Sequence, residues 1–168
     1  MRILGIDPGT LVTGYGLIES DGTRNVYVAS GCIRAQGEGM PQRLKMIYDQ
    51  LSEIVATYRP QEIAVEQVFV HRNVDSALKL GQARGAAICA GMSLCPSVSE
   101  YTPRQIKQAV VGTGAAAKPQ IQHMVRILLG LSSVPPPDAA DALAVALCHS
   151  HTRHTLGRMS RLRGGSAR

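Results

Sequence analysis

Four acidic residues occupy positions where the predicted fold does not require a charge. Asp7 is the last residue of a short apolar run, directly before a Pro-Gly turn, and Glu66 lies within a later apolar run. Asp138 and Asp141 are three residues apart in a predicted helix, so both project from one face of its first turn. Mg²⁺ prefers carboxylate oxygens as ligands, and two such ions can activate water and stabilise the leaving oxygen of a phosphodiester. The four acids together are typical of metal-dependent phosphodiester hydrolysis.

Each of these acids also has a purely structural explanation. Asp7 can cap the turn that follows it, because aspartate is a favoured turn residue. A single interior glutamate such as Glu66 is often a paired residue at the edge of a sheet. Asp138 and Asp141 match the acidic first turn with which many helices begin. The chemical interpretation therefore depends on all four acids meeting at one place.

The distribution of basic residues indicates a polyanionic partner, most simply a nucleic acid. The formal net charge is +6, and the region from residue 67 to residue 137 holds seven basic residues and two acidic ones. After Cys148 the chain adds five arginines and no acid, although this end can equally be a disordered, solubilising tail. Such asymmetry suits a negatively charged partner. The basic residues of the first region are Arg72, Lys79, Arg84, Arg104, Lys107, Lys118 and Arg126.

Two local patterns refine the expected nucleic-acid contacts. The small-residue loop 112–118 lacks the Gly-Lys-Ser/Thr ending of a nucleotide P-loop, so we reject that function for it. Its Lys118 begins a helix and can contact a phosphate there, together with Arg104 and Lys107. Phe69 is the only phenylalanine and lies beside basic residues, where it can wedge between or stack on bases. A core position for Phe69 is the open alternative.

Composition limits the class of protein. A chain of 168 residues with 45% hydrophobic residues is the size of one globular domain. No stretch is long and apolar enough to span a bilayer, and we see no export signal, so we expect a cytoplasmic protein with no membrane partner. The four cysteines form no Cys-x-x-Cys pair, which indicates reduced thiols rather than disulfides or a zinc site.

Hydrophobic periodicity predicts an α/β fold. We expect three antiparallel strands, in which Gly14 and Gly16 leave room beside Asp7 for a ligand or a backbone. A helical crossover then leads to a fourth strand parallel to the first. The further predicted elements are a helix over 73–90 capped by Asp75, a strand over 97–101, two helices from 102 and from 119, and a last helix over 135–149.

Four motifs resemble the RuvC family of bacterial Holliday-junction resolvases. They are Gly-Ile-Asp-Pro-Gly at 5–9, Ile-Ala-Val-Glu-Gln-Val-Phe at 63–69, the segment 75–85, and Asp-Ala-Ala-Asp-Ala-Leu-Ala at 138–144. The match covers residues 1–150 in the family's order. It implies a ribonuclease-H-like fold, with a five-stranded mixed sheet and helices on both faces, as the nuclease domain. Residues 151–168 fall outside the pattern, and we expect a flexible basic tail there.

The resemblance implies roles for individual residues. The catalytic, metal-binding acids fall on Asp7, Glu66, Asp138 and Asp141, with two Mg²⁺ ions per site and Mn²⁺ as a substitute. Lys107 and Lys118 fall near the scissile phosphate, and Phe69 is the junction-engaging aromatic. We add Arg72, Lys79, Arg84 and Arg104 to these as expected DNA-binding residues.

The resemblance also implies partners and an activity. It implies a homodimer that binds four-way junction DNA and cuts two symmetric phosphodiester bonds in recombination and repair, with the RuvA–RuvB branch-migration complex as a partner. We take the helix around residues 81–91 as the candidate dimer interface. Three alternatives are an actin-like phosphate-binding lobe, a DNA-binding module without catalysis, and a nuclease for another substrate such as an RNA–DNA hybrid. An actin-like protein needs two lobes, and this chain has the length of one.

Overall fold

The computed structural model describes residues 1–68, 73–95 and 97–164, and contains ten elements within these residues. In chain order they are β1 (Arg2–Asp7), β2 (Val12–Ser20), β3 (Asn25–Arg34), α1 (Met40–Tyr58), β4 (Glu62–Glu66), α2 (Val74–Met92), β5 (Val98–Tyr101), α3 (Pro103–Val111), α4 (Lys118–Leu128) and α5 (Pro137–Gly164). No helix among the described residues is long and apolar enough to cross a membrane.

The five strands form one mixed sheet in the order β3-β2-β1-β4-β5, which confirms the predicted fold class. β1, β2 and β3 pair antiparallel, whereas β4 is parallel to both β1 and β5. Parallel strands place their carboxyl ends at the same edge of a sheet. Ile6 pairs with Val65, so the next residues along, Asp7 and Glu66, end their strands side by side.

Alternation along the strands separates two cores. In β1, Ile3 packs with α3, α4 and α5 on one face, whereas Leu4 and Ile6 pack with α1 and α2 on the other. Successive strand residues point to opposite faces. Asp7 therefore follows Ile3 onto the α5 face. Glu66 follows Ala64 of β4 onto the same face.

Glycines allow α5 to lie directly on this face. A Cβ atom added at Gly14 would lie 2.0 Å from the carbonyl oxygen of Asp138, and one at Gly5 would lie 2.1 Å from that of Ala142. Gly16 is equally closed by α5. The space beside Asp7 is thus filled by helix backbone, the second of the two expected occupants.

The structure differs from the predicted elements at several ends. The last helix begins at Pro137 rather than at residue 135, and it continues to Gly164 instead of ending at His149. No proline interrupts residues 150–164, so the sequence allows the helix to continue. Arg153 also binds the sheet residue Glu62, and this contact stabilises the added turns. β4 ends at Glu66, and Gln67 lies outside the strand.

The N-cap of α2 is Asn73 rather than the predicted Asp75. Its side-chain oxygen accepts a hydrogen bond of 3.2 Å from the backbone N–H of Ser76. Asp75 lies in the first helical turn instead and pairs with Lys79 at 2.6 Å. α3 begins with a capping box formed by Thr102 and Gln105.

We expect Gly14→Ala to destabilise the protein strongly, because its Cβ meets backbone that no side-chain rotation can move. Overpacking typically costs about 1–3 kcal/mol, and a backbone clash belongs at the upper end of that range. Gly157→Ala is the matched control, since a Cβ at this helical position meets nothing within 4 Å. Urea unfolding of the two variants measures the difference. A Gly14→Ala variant as stable as Gly157→Ala would contradict the close approach of α5.

Candidate active site

The turn after β1 is closed by Thr13 rather than by Asp7. The buried hydroxyl of Thr13 accepts a hydrogen bond of 3.2 Å from the Gly9 N–H and donates one of 3.0 Å to the Gly9 carbonyl. The turn therefore has its side-chain partner without the carboxylate. This removes the main reason for treating Asp7 as a structural cap.

One cavity of about 340 Å³ brings together five of the six residues predicted to take part in catalysis. It lies where β1 and β4 end, beneath the first turns of α4 and α5. Asp138 is not part of its lining, and contributes to the site by the effect of its charge on Asp7. The predicted residues that line the cavity are Asp7, Glu66, Asp141, Lys107 and Lys118.

Lys118 holds one of the acids directly. Its Nζ lies 3.1 Å from Oδ2 of Asp141, whose side chain is only 17% exposed, whereas the Lys118 side chain is 72% exposed. The hydrogen bond and the charge of Asp141 raise the pKa of Lys118, so the ammonium stays protonated. An exposed cation is thus paired with a largely buried acid of the cavity.

Burial and mutual repulsion disfavour charge on the acids. Burial, followed by the charges of Glu66 and Asp141, raises the pKa of Asp7 to about 8, and Lys118 only partly opposes this. The pKa of Glu66 is also raised, first by burial and then by Asp141, although a hydrogen bond with Asp7 works against the shift. Carboxylates forced together in this way gain stability from a cation placed among them.

The donor set fits a hard divalent cation. The acids lining the cavity offer only oxygen atoms, and Mg²⁺ is commonly bound by one or two carboxylates completed by water and substrate phosphate. Among the described residues, no three His, Cys, Asp or Glu side chains form a group with the geometry of a finished metal site. The fit therefore rests on the oxygen donors and on their uncompensated repulsion.

Three other predicted DNA-binding residues, Lys79, Arg84 and Arg104, do not line the cavity. Arg84 of α2 pairs with Glu100 of β5 at 2.6 Å, and Lys79 pairs with Asp75 along α2. Arg104 is exposed at the start of α3 and packs its side chain against Gly114. Phe69 and Arg72 lie outside the described residues.

The cavity is completed by several uncharged residues that were not predicted from the sequence. Gln67 follows Glu66 directly, and its N–H bonds to the Tyr101 carbonyl at 2.8 Å, which joins β4 to the end of β5. Only its position beside an acid could have marked it. The remaining lining residues are Pro8, Val68, Leu80, Pro103, Ile106 and Ile121.

Comparison with known proteins decides the family. The family model for crossover junction endodeoxyribonuclease RuvC matches residues 3–149. The chain belongs to the RuvC family. A RuvC protein of Tolumonas auensis is 57% identical over 166 residues, which cover 99% of this chain and 96% of that relative. The predicted family is thereby confirmed.

Solved structures agree with this placement. A Thermus thermophilus RuvC in complex with Holliday junction substrate has a TM-score of 0.86 and 35% identity, and the match covers 92% of this chain and 96% of that one. The yeast mitochondrial Holliday junction resolvase Ydc2 has a TM-score of 0.69 at 10% identity, over 95% of this chain and 83% of that one, and shows a shared fold. The RuvC fold is thus common to this chain and its bacterial relatives.

The raised pKa of Asp7 predicts an unusual pH dependence of stability without metal. The folded protein holds this proton up to about pH 8, whereas the unfolded chain releases it near the ordinary value of 3.8. The native state therefore binds more protons in between, and the free energy of unfolding falls as pH rises through this window.

Asp7→Asn should remove that slope, because its amide resembles the protonated acid and can still donate to Glu66. In EDTA at pH 8 we expect the free energy of unfolding of the variant to exceed that of the wild type by at least about 1.4 kcal/mol, the equivalent of one pKa unit. Thermal melting at pH 5 and pH 8 measures this. Asp49→Asn, which removes a surface acid paired with Lys45, is the control and should change little. A destabilised Asp7→Asn at pH 8 would argue against charge repulsion in the cavity.

Proposed function

We propose that this protein is a structure-selective endonuclease that resolves Holliday junctions, by hydrolysing two symmetric phosphodiester bonds in recombination and DNA repair. The observation that supports this most strongly is a cavity of acids and lysines, at the ends of β1 and β4, in a chain of the RuvC family. We further propose that the reaction depends on Mg²⁺, with two ions per site and Mn²⁺ as a substitute, and that the protein acts in the cytoplasm.

In this proposal the acids hold the metal and the lysines bind the phosphate. Asp7, Glu66 and Asp141, with Asp138 at the first turn of α5, supply the carboxylates. Bound Mg²⁺ would lower the pKa of water and offset charge on the leaving oxygen. The ammonium of Lys118 contacts the scissile phosphate, where it stabilises the charge that develops during hydrolysis.

The surface around the cavity suits a DNA backbone. From residue 101 to residue 137 the chain contains no acid, and this stretch includes Arg104, Lys107 and Lys118. Lys107 faces the cavity from α3, opposite Lys118 at the start of α4. We propose that these residues contact phosphates, that Arg72, Lys79 and Arg84 extend the contact, and that Phe69 engages unpaired bases of the junction.

Cutting two strands symmetrically calls for two sites, and we propose a homodimer for this reason. Its candidate surface is the outward side of α2, where Val74 and Leu78 are 65% and 64% exposed. Gly81 and Gly85 of the same helix face open space, so another backbone can approach closely. The RuvA–RuvB branch-migration complex is the proposed functional partner.

A synthetic mobile four-way junction tests the function directly. We expect paired, symmetric nicks in the junction with Mg²⁺ or Mn²⁺, no nicks with EDTA, and no cutting of a linear duplex of the same sequence. Equal cutting of both DNAs would remove the junction specificity, and cutting of an RNA–DNA hybrid alone would assign a different substrate. Binding without cutting would favour a non-catalytic module.

We expect Asp141→Asn, like Asp7→Asn, to reduce junction cutting by at least about a thousandfold, because each removes a carboxylate that the reaction requires. Junction binding should change little, since it depends on the basic surface. Gel-shift and single-turnover assays on the same preparations separate the two effects, with Asp49→Asn as the active control. Substantial cutting by a pure acid variant would exclude that acid from catalysis.

A further inference from the structure

A buried polar network outside the cavity lining joins α5 to the sheet. His149 of α5 is 5% exposed, and both of its ring nitrogens have partners. Nε2 lies 2.5 Å from Oε2 of Glu62, at the start of β4, and Nδ1 lies 2.8 Å from the hydroxyl of Tyr101, at the end of β5. The rings of Tyr101 and His149 also meet edge to face, with their centroids 5.7 Å apart.

A second residue of α5 also binds Glu62. Arg153, one helical turn after His149, binds the other oxygen of Glu62. Both carboxylate oxygens of Glu62 are therefore held by α5, from two successive turns. We call the four residues Glu62, Tyr101, His149 and Arg153 the α5 clamp.

The hydrogen bonds of the clamp satisfy both ring nitrogens of His149. The carboxylate of Glu62 is an acceptor, so Nε2 donates to it. Nδ1 shares a hydrogen bond with the hydroxyl of Tyr101. Sliding α5 along the sheet would leave these buried groups without partners, which is expensive.

The clamp connects the same elements that carry the site. Glu62 and Glu66 are the two ends of β4, and Asp141 and His149 lie on α5 about 12 Å apart along its axis at 1.5 Å per residue. Tyr101 immediately precedes the segment that leads into α3 and Lys107. The network therefore touches β4 and α5, which carry Glu66 and Asp141, and reaches Tyr101, two residues before the start of α3.

The rest of the interface between α5 and the sheet is apolar. Gly5 meets the helix at Ala142 and Ala146, and Gly16 meets it at the buried Leu143, so these contacts set how closely α5 approaches. The clamp adds polar contacts to this apolar packing. Hydrogen bonds are directional, so these contacts resist a shift of the helix along its axis.

We infer that His149 is a positioning residue for the nuclease reaction: through Tyr101 and Glu62 it fixes the axial position of α5, and so the distance of Asp141 from Asp7 and Glu66. This inference rests on the proposed function for its catalytic consequence. Misplacing a catalytic group by about 1 Å can cost a hundredfold in rate. Neither His149 nor Tyr101 lines the cavity, so both act only through the residues they place.

Tyr101→Phe and His149→Gln test the inference in the full-length protein. Tyr101→Phe keeps the ring and removes only the hydroxyl. We expect kcat on a four-way junction to fall about tenfold or more in each variant, with the KM for the junction within about twofold of the wild type. Mn²⁺ binding to the DNA-free protein, followed by electron paramagnetic resonance, should weaken about tenfold, which is a readout independent of cutting.

Leu51→Ala and Ile47→Val are the matched controls, because both remove core volume from α1 on the opposite face of the sheet. We expect them to lower the melting temperature as much as the clamp variants while keeping the kcat and Mn²⁺ affinity of the wild type. Clamp variants that lose no more kcat or Mn²⁺ affinity than these controls would reduce His149 to a structural role. A wild type that cuts no junction would refute the proposed function, and the Mn²⁺ comparison would still decide the positioning role.

Discussion

The contact between the backbone of α5 and the glycines of β1 and β2 is the constraint on which the site depends. With Asp138 carbonyl oxygen only 2.0 Å from where a Gly14 Cβ would be, the helix begins directly over the last residues of β1. Asp7 pairs with Gly14 across the hairpin, so the first turn of α5 starts beside Asp7. A side chain at Gly5 or Gly14 would push the helix away from the sheet. Asp138 and Asp141 would then move away from Asp7.

That proximity has an electrostatic consequence. A protein that only needed to fold would not place Glu66 and Asp141 against a buried Asp7, whose pKa they help to raise to about 8. The pairing of Lys118 with Asp141 relieves only part of the repulsion. Sites that act on a substrate commonly retain groups that destabilise the free protein. Under the proposed function, the positive charge that balances the acids of the cavity comes from bound metal.

The sequence predicts the parts of this arrangement that follow local rules. Asp7 and Glu66 could be placed together because both end strands that run parallel, and the strands were recognisable from their apolar runs. Asp138 and Asp141 share a helical face for a similar reason. The end of α5 was misplaced because a tertiary contact through Arg153 extends the helix. The cap of α2 was misplaced because Asn73 and Asp75 are both suitable cap residues and lie close together. Periodicity gave no sign of the clamp either, since Glu62, Tyr101 and His149 are far apart in sequence and join only when the sheet and α5 have packed.

Two kinds of contact with different physical properties therefore fix α5. The glycine contact is short-ranged and repulsive, so it determines how near the helix lies to the sheet. The clamp is directional and attractive, so it resists axial movement while adding little to closeness. Neither alone defines the position of Asp141 in three dimensions. If the site holds metal ions as proposed, its carboxylates must be placed accurately, and a buried polar network supplies a directional constraint that apolar packing alone does not.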